Sequence, residues 1–408
     1  MIDLLPNRGT NLSAIATTLC FTSAKRSPEP TERTPMSDAV QPFRIHIAQS
    51  DLDYLHHRLA DARWPAELPD AGWNRGIPQL YLKELAEYWR TGYDWRAQEA
   101  ALNSYPQFTT EIDGQRIHFL HVRSGRADAT PLLITHGYPS SVAEFLHLIE
   151  PLVDPAEGPA FHVVAPSLPG YAFSTPLSAT GWAMGRTANA WIELMRRLGY
   201  QRYGVHGGDV GAGISGLVGA RDSEHVIGVH VVTDPLTAAN VATFLPGIAE
   251  RLDADDPVDK LILERMDVFR KEGSGYLSIQ QSRPQTIGYG LVDSPLLQLA
   301  WIAEKFEEWT DLPIDRDQLL TTVSLYWFTG AGITAAHTLY DQAHSSDWGA
   351  PAVPQGFAVF SADETVRKVV PAPPDAHWTE FEHGLHFPAM EAPAQLTADL
   401  RTFFEHLR

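Results

Sequence analysis

The stretch Gly207-Gly208-Asp209-Val210-Gly211 follows an apolar run at 202–206 and precedes a segment of small residues at 212–220. A strand, a sharp turn with glycines two residues before and after its centre, and a helix together form the pattern of a nucleophile elbow. Such a turn holds its central residue in a strained conformation, and small neighbours are needed to avoid clashes. We therefore predict that Asp209 is presented as a reactive group between a strand and a helix.

The aspartate at the centre of this turn decides the chemistry. A carboxylate is ionised at pH 7, so Asp209 needs no base before it attacks. Attack on an acyl carbon would give an anhydride, whereas attack on a saturated carbon gives an ordinary ester that water can hydrolyse. The pattern therefore favours substitution at carbon, with an epoxide oxygen or a halide as the leaving group. A turn that only binds phosphate is less favoured, because the carboxylate would repel the anion.

Short apolar runs alternate with helical stretches along the chain. They lack polar-apolar alternation, as expected for strands buried on both faces of a parallel sheet. These runs cover residues 131–135, 162–165, 202–206, 227–232 and 356–360. Before them, residues 108–112 and 116–122 flank Asp113-Gly114 and predict a β-hairpin. The alternation predicts an α/β fold with a mostly parallel central sheet.

Length and composition exclude several classes of protein. With 408 residues, of which 44% are hydrophobic, the chain can bury a large core. A net charge of -19 provides no basic face, so we expect no nucleic-acid partner and no membrane partner. The single cysteine, Cys20, cannot form an internal disulfide, and it lies far from any glycine turn, which disfavours thiol catalysis. The sequence contains no run of about 18 apolar residues, which is the length that a membrane-spanning helix needs. We expect a cytoplasmic location.

The chain is expected to contain a sheet domain interrupted by a lid. Residues 1–35 are expected to form a disordered tail, with a secretory signal as the less favoured alternative and Met36 as another candidate start of the natural chain. Between 236 and 345 the strand signals disappear and helical segments rich in Leu, Trp and Tyr take over. The remaining parts are an N-terminal segment at 36–125 and the two halves of the sheet domain at 126–235 and 346–408.

A second motif precedes the elbow by roughly 70 residues: His136-Gly137-Tyr138-Pro139 follows the apolar run that ends at Thr135. A loop in this place supplies one backbone donor of an oxyanion hole, and the residue after the nucleophile supplies the other. The expected donors are the N–H groups of Tyr138 and Val210. They would stabilise the tetrahedral intermediate that forms when water attacks an Asp209 ester.

A base and a supporting carboxylate should follow the lid, in the chain order nucleophile, acid, base. Imidazole can take a proton from water, and a carboxylate on its other nitrogen fixes the tautomer. By spacing alone, His383 and His386 both qualify as the base, and Asp363 and Glu364 both qualify as the acid.

These features resemble the microsomal-type epoxide hydrolases and their bacterial relatives, including members similar to those of enediyne antibiotic pathways. The resemblance covers nearly everything after residue 40. Two departures are visible: the family usually has Trp, or sometimes Ile, in place of Val210, and commonly Trp-Pro-Gly in place of Tyr138-Pro139-Ser140. Both positions mainly contribute backbone N–H groups, so the departures affect the shape of the pocket. The segments that carry the resemblance are Pro42-Phe43, Arg63-Trp64-Pro65, 117–122, the His136 loop, 166–170, the Asp209 turn and 382–391.

The resemblance implies an α/β-hydrolase fold with an N-terminal epoxide hydrolase domain. It implies conversion of an epoxide to a vicinal diol through an ester on Asp209. It favours His386 over His383 as the base, and Asp363 over Glu364 as the acid.

The resemblance also implies two lid tyrosines that hold the epoxide oxygen as the ring opens. Phenols, with an ordinary pKa of about 10, suit this role. The segments at 273–280 and 334–341 match the family segments that carry the pair, which assigns Tyr276 and Tyr340. Tyr289 and Tyr326 also lie in the lid and are interpreted as core residues.

This mechanism requires no cofactor and no metal. The expected partner is a small-molecule epoxide, and the aromatic lid favours an arene-bearing or polycyclic one. The expected role is in detoxification or secondary metabolism. A homodimer is one option for the assembly. A haloalkane dehalogenase, which shares the carboxylate nucleophile, is the alternative enzyme, although Val210 stands where that family has a tryptophan. A non-catalytic binding protein on the same scaffold is the alternative from another class.

Overall fold

A computed structural model describes residues 39–244, 247–347 and 349–407, and the tail expected at 1–35 lies outside them. The strands in these ranges are β1 Gln41–Phe43, β2 Gln107–Ile112, β3 Gln115–Val122, β4 Thr130–Thr135, β5 Phe161–Pro166, β6 Tyr203–Gly207, β7 Val226–Thr233, β8 Gln355–Val359 and β9 His377–Glu380.

The α-helices in the same ranges are α1 Gln49–Ala60, α2 Gln79–Thr91, α3 Trp95–Leu102, α4 Leu146–Val153, α5 Met184–Arg197, α6 Val210–Arg221, α7 Pro235–Phe244, α8 Pro257–Val268, α9 Gly275–Ser282, α10 Pro284–Asp293, α11 Pro295–Glu308, α12 Arg316–Thr329, α13 Ala331–Ala343, α14 Glu364–Val369, α15 Pro388–Glu391 and α16 Pro393–Glu405. Short 3-10 turns lie at Val142–Phe145, Ala172–Ser174 and Ala249–Arg251, and a π-helical turn at Phe269–Gly273 joins α8 to α9.

The strands form a single mixed sheet in the order β1-β2-β3-β5-β4-β6-β7-β8-β9. From β5 to β9 every neighbouring pair is parallel, whereas β1, β2 and β3 pair antiparallel, as do β3 and β5. The hairpin expected around Asp113-Gly114 is present as β2 and β3. The expected α/β fold with a mostly parallel sheet is therefore confirmed.

Both faces of the parallel strands are buried, which explains why their sequences lack polar-apolar alternation. In β4, Leu132 and Ile134 pack with α4 and α16 on one face. Leu133, between them, packs on the other face in the cluster that contains Trp191 of α5 and Leu217 of α6. Each of these strand residues is at most 1% exposed. The sheet is thus the middle layer of three.

The helices α7 to α13 lie between β7 and β8 in the chain, and the N-terminal helices pack against α11 and α12 of this set. Nε1 of Trp89 in α2 donates to Oγ of Ser324 in α12 at 2.9 Å. Leu55 of α1 and Leu299 of α11 belong to the same buried cluster. The N-terminal strands meanwhile extend the central sheet, so the segment before residue 126 contacts both the sheet and the helices over it.

In the part of the chain described, no single helix is long and apolar enough to cross a membrane. The bent pair of α12 and α13, which turns by 90°, passes the length and composition criteria only when its two helices are combined.

Candidate active site

Asp209 lies between the end of β6 and the start of α6, with φ of 52° and ψ of -127°. This positive φ is unusual for a residue with a side chain and is typical of a strained functional turn. A Cβ on Gly207 would collide with the backbone carbonyl of Gly211, and a Cβ on Gly137 would collide with the Asp209 side chain. The glycines therefore permit both the turn and the close approach of the loop that faces it.

The loop after β4 places a backbone donor on the nucleophile. The N–H of Tyr138 donates to Oδ1 of Asp209 at 2.8 Å. Val210 is the first residue of α6, and N–H groups in the first turn of a helix have no partner within the helix. Of the two residues expected to form an oxyanion hole, Tyr138 therefore donates to the Asp209 carboxylate, and Val210 directly follows Asp209 at the start of α6.

A buried histidine fixes this loop. The N–H of Leu168 donates to Nε2 of His136 at 3.2 Å, so Nδ1 carries the proton of the neutral ring and donates to the Gly137 carbonyl at 3.0 Å. Burial lowers the pKa of His136 to about 4, which keeps the ring neutral at physiological pH. The shape of this loop thus rests on a histidine that, among the described residues, hydrogen-bonds to Gly137 and Leu168 and not to Asp209.

His386 faces the nucleophile, with Nε2 3.7 Å from Oδ2 of Asp209 and only 9% of its side chain exposed. Its ring meets the Trp309 ring edge-on, with the centroids 5.0 Å apart, and its backbone N–H donates to the Trp309 carbonyl. Burial lowers the pKa of His386, but the nearby carboxylate of Asp234 and the charges of Asp209 and Glu144 outweigh burial and raise it overall. A histidine placed in this way can accept a proton from water near Asp209.

Asp234, which sequence reasoning missed, lies behind His386. Its Oδ2 is 3.6 Å from Nδ1 of His386, and its side chain is 1% exposed. Asp234 directly follows β7, the strand beside the nucleophile strand, and its Oδ1 accepts from the N–H of Thr237 at 2.8 Å in the first turn of α7. The available signal was an aspartate at the carboxyl end of a buried strand next to the elbow.

The hydroxyl of Thr237 stands between Asp234 and His386. It donates to Oδ2 of Asp234 at 2.5 Å and lies 2.9 Å from Nδ1 of His386. Because the one hydroxyl proton is directed at the carboxylate, the hydroxyl oxygen accepts from Nδ1–H of His386. This leaves Nε2, the nitrogen that faces Asp209, unprotonated in the neutral ring, as a general base requires.

The structure does not bring Asp363 to His386. Asp363 caps α14 by accepting from the N–H of Thr365 at 2.9 Å, and its Oδ2 forms an ion pair with Arg265 of α8 at 2.7 Å. Burial raises the pKa of Asp363, but the hydrogen bonds from Thr365 and Arg265 outweigh burial and hold it below its usual value. Within the described ranges no hydrogen bond or ion pair joins Asp363 to His386. The expectation for Asp363 is corrected because Arg265 and the helix N-terminus bind its carboxylate instead.

The two less favoured candidates lie outside the site. Nδ1 of His383 is 3.4 Å from Oδ2 of Asp311, and its side chain is 64% exposed. Glu364 is an exposed residue in the first turn of α14. Neither residue contacts Asp209 or His386 among the contacts of the described chain.

Tyr276 shares a cavity of about 120 Å³ with Asp209 and His386. Its ring stacks on that of Tyr138, with the centroids 5.9 Å apart and the planes 3° apart. Burial and the charge of Asp209 raise the pKa of Tyr276 well above its usual value, so its hydroxyl stays protonated and can donate. The rest of the cavity is mainly apolar, formed by Leu236, Val241, Phe244, Phe269, Leu277 and Trp309.

The structure does not bring Tyr340 into that cavity. Its ring stacks on His344, with the centroids 4.0 Å apart. Leu339, the preceding residue of α13, instead lines a small cavity beside Val210. The side chains of neighbouring residues in a helix point about 100° apart. Because Leu339 points toward the cavity beside Val210, the side chain of Tyr340 points in another direction. The expectation for Tyr340 is corrected on this ground.

The two other lid tyrosines differ from each other. Tyr326 is 1% exposed and its hydroxyl donates to the Ser140 carbonyl at 3.2 Å, so its interpretation as a core residue is confirmed. Tyr289 is 70% exposed, so the same interpretation is wrong for that residue.

Two family descriptions match the chain. Residues 40–145 match the epoxide hydrolase N terminus, and residues 130–264 match the alpha/beta hydrolase fold. The chain is 40% identical over 393 residues to a Stigmatella aurantiaca protein named as an epoxide hydrolase, covering 90% of this chain and 86% of that protein. It is 34% identical over 407 residues to epoxide hydrolase 1 of Sus scrofa, covering 90% of this chain and 88% of that protein.

Solved structures agree with the sequence relatives. Juvenile hormone epoxide hydrolase from the silkworm Bombyx mori superposes with a TM-score of 0.79 at 29% identity, covering 91% of this chain and 96% of that chain. The Aspergillus niger epoxide hydrolase superposes with a TM-score of 0.75 at 30% identity, covering 91% of this chain and 98% of that chain. With the elbow, the facing loop and the buried histidine described above, these matches show that the chain belongs to the epoxide hydrolase family of the α/β-hydrolase fold.

Proposed function

We propose that the protein hydrolyses an epoxide to a vicinal diol in two steps, through an ester between the substrate and Asp209. The observation that carries this proposal is the contact of His386 Nε2 with Asp209 Oδ2 at 3.7 Å, while Oδ1 of the same carboxylate accepts from Tyr138. One carboxylate thus faces both a base and an oxyanion donor, an arrangement suited to forming and then hydrolysing an ester.

In the first step Oδ2 of Asp209 attacks a ring carbon and the carbon–oxygen bond of the epoxide breaks. The ring oxygen leaves as an alkoxide and takes a proton from the hydroxyl of Tyr276. Attack through Oδ2 leaves Oδ1 as the carbonyl oxygen of the new ester. That oxygen already accepts from the N–H of Tyr138, so no reorientation is needed before the second step.

In the second step Nε2 of His386 takes a proton from water, and the resulting hydroxide attacks the carbonyl carbon of the Asp209 ester. The negative charge that develops on Oδ1 is stabilised by the N–H groups of Tyr138 and Val210. Collapse of the intermediate breaks the bond between the carbonyl carbon of Asp209 and the former Oδ2, which leaves with the substrate. This oxygen takes a proton from the imidazolium and becomes a hydroxyl of the diol. Hydrolysis leaves Asp209 as a carboxylic acid, which releases its proton to solvent, and the Tyr276 phenolate takes up a proton from solvent. Both groups thus return to their starting states, and the sum is epoxide plus water to diol.

We assign the support of His386 to Asp234, acting through the hydroxyl of Thr237. Its negative charge stabilises the imidazolium that forms in the second step. Because Asp363 is engaged by Arg265, we assign it a structural role at the start of α14.

The test is a single turnover in ¹⁸O-labelled water, with enzyme in excess over a styrene-type epoxide. In the covalent route the diol receives its new oxygen from the carboxylate, so the diol stays unlabelled and the label appears in the peptide that contains Asp209. Asp209→Asn should fail to form the ester, since a neutral amide is a far weaker nucleophile. Label that appears first in the diol, and not in the peptide, would mean that water attacks the epoxide directly.

A further inference from the structure

We propose that Asn240 makes the active site selective for epoxides that carry a hydroxyl group close to the ring. This inference rests on the proposed epoxide hydrolysis and concerns the substrate class of the same site. It follows from one polar side chain in the mainly apolar cavity that contains Asp209.

Asn240 belongs to the face of α7 that lines this cavity. The face runs from Leu236 and Thr237 through Asn240 and Val241 to Phe244, at the spacing expected for one side of a helix. Thr237 holds the catalytic histidine, whereas Val241 and Phe244 are 47% and 53% exposed and mark the mouth of the cavity. Asn240 therefore lies between the reacting centre and the opening.

The amide of Asn240 is not fully satisfied by the protein. Its Oδ1 is buried, and among the described residues it has no hydrogen-bond partner. Buried polar atoms are rarely left unpaired, because losing a hydrogen bond to water without replacement is unfavourable. The other groups that line the cavity toward the mouth are apolar, so the substrate is the group placed to supply the missing partner.

The helix geometry fixes where that partner must lie. Asn240 follows Thr237 by three residues, which is about 4.5 Å along the axis at 1.5 Å per residue. Phe244 lies about 6 Å further toward the mouth on the same scale. A hydroxyl one or two bonds from the epoxide ring would reach the amide, and an apolar group elsewhere on the substrate would contact Val241 and Phe244. The unpartnered Oδ1 is an acceptor, so the missing partner must be a donor, and a hydroxyl supplies one.

The test compares three epoxides with a common phenyl group: phenylglycidol, which has a hydroxymethyl arm, its O-methyl ether, and an analogue in which a methyl group replaces the hydroxyl. Wild-type enzyme should prefer phenylglycidol over the methyl analogue by roughly 10-fold or more in kcat/KM, since a site that bonds a polar group discriminates against ligands lacking it. The O-methyl ether, which cannot donate to Oδ1, should resemble the methyl analogue.

Asn240→Leu, which keeps a similar volume without polar atoms, should abolish this preference while still hydrolysing the methyl analogue. Val241→Ala, on the same helix face, is the matched control and should leave the ratio between the substrates unchanged. Equal kcat/KM for phenylglycidol and the methyl analogue in the wild type would overturn the inference without any variant, as would an unchanged ratio in Asn240→Leu. Absence of diol from all three epoxides would instead overturn the proposed hydrolysis itself.

Discussion

Oδ2 of Asp234 lies 3.6 Å from Nδ1 of His386, with the Thr237 hydroxyl hydrogen-bonded to both. The carboxylate that supports the base thus follows β7, the strand beside the nucleophile strand, and not β8, after which it was expected. Parallel strands end at one edge of the sheet, so an aspartate after either strand lies on the correct side. The contacts made there by other side chains decide between them.

Asp234→Asn should slow hydrolysis of the Asp209 ester by roughly 10²-fold or more, because the imidazolium loses its supporting charge. Loss of this negative charge should also lower the pKa of His386, which Asp234 helps to raise, so the acid limb of the hydrolysis rate should move to lower pH. The decay of the ester in single turnovers at several pH values measures both effects. Asp363→Asn is the matched control and should change the rate less than about 3-fold. The reverse pattern would restore Asp363 as the acid.

His386→Gln should allow the ester to form but block its hydrolysis, because attack by the ionised carboxylate needs no base whereas attack by water does. Mass spectrometry of the variant after addition of epoxide should show the protein heavier by one substrate. His383→Gln, at an exposed position, should turn over like the wild type. A persistently unmodified His386 variant would exclude the assigned role.

Tyr276→Phe should slow formation of the ester by roughly 10²-fold, since removal of one oriented donor at a developing negative charge costs about this factor. Rapid mixing with the epoxide, followed by mass spectrometry of the Asp209 peptide, measures the rate. Tyr340→Phe is the comparison, because the ring stacks on His344 away from the cavity, and its rate should stay within a few-fold of the wild type. A large loss in Tyr340→Phe alone would show that Tyr340 enters the site during catalysis.

Stability should fall as the pH decreases below about 6.5. Burial lowers the pKa of His118 to about 3, and it lowers the pKa values of His206 and His230 as well. These rings remain neutral in the folded chain but take up protons on unfolding. Their contribution is therefore present above the unfolded pKa of about 6.5 and is lost progressively as the pH falls from there towards the lower folded pKa values. Each group can contribute a slope of up to about 1.4 kcal/mol per pH unit in the free energy of unfolding.

Urea unfolding between pH 7.5 and 5.5 measures this slope. His118→Gln should reduce it, because an amide can keep hydrogen bonds to Ser167 and Gln107 but does not titrate in this range. Equal slopes in the wild type and His118→Gln would argue against a titrating contribution from His118.

The local sequence was sufficient for features that depend on neighbours in the chain. The turn around Asp209, the hairpin at Asp113-Gly114 and the strands buried on both faces all follow from glycine positions and patterns of apolar residues. His386 could be separated from His383 only through the resemblance to a known family. The contact of His386 with Asp209 then joins residues 177 positions apart, a distance in the chain that no local pattern specifies.

Tertiary structure decided which of several chemically equivalent residues faces the site. Asp234 and Asp363 both follow buried parallel strands and both cap a helix. Arg265 of α8 forms an ion pair with Asp363, whereas Asp234 lies beside His386. Tyr340 matched its family segment, yet the rotation of α13 turns Leu339 toward the nucleophile side instead. Sequence determines which groups are available near the edge of the sheet, whereas the partners from distant helices and the 100° turn per helical residue determine which of them can act.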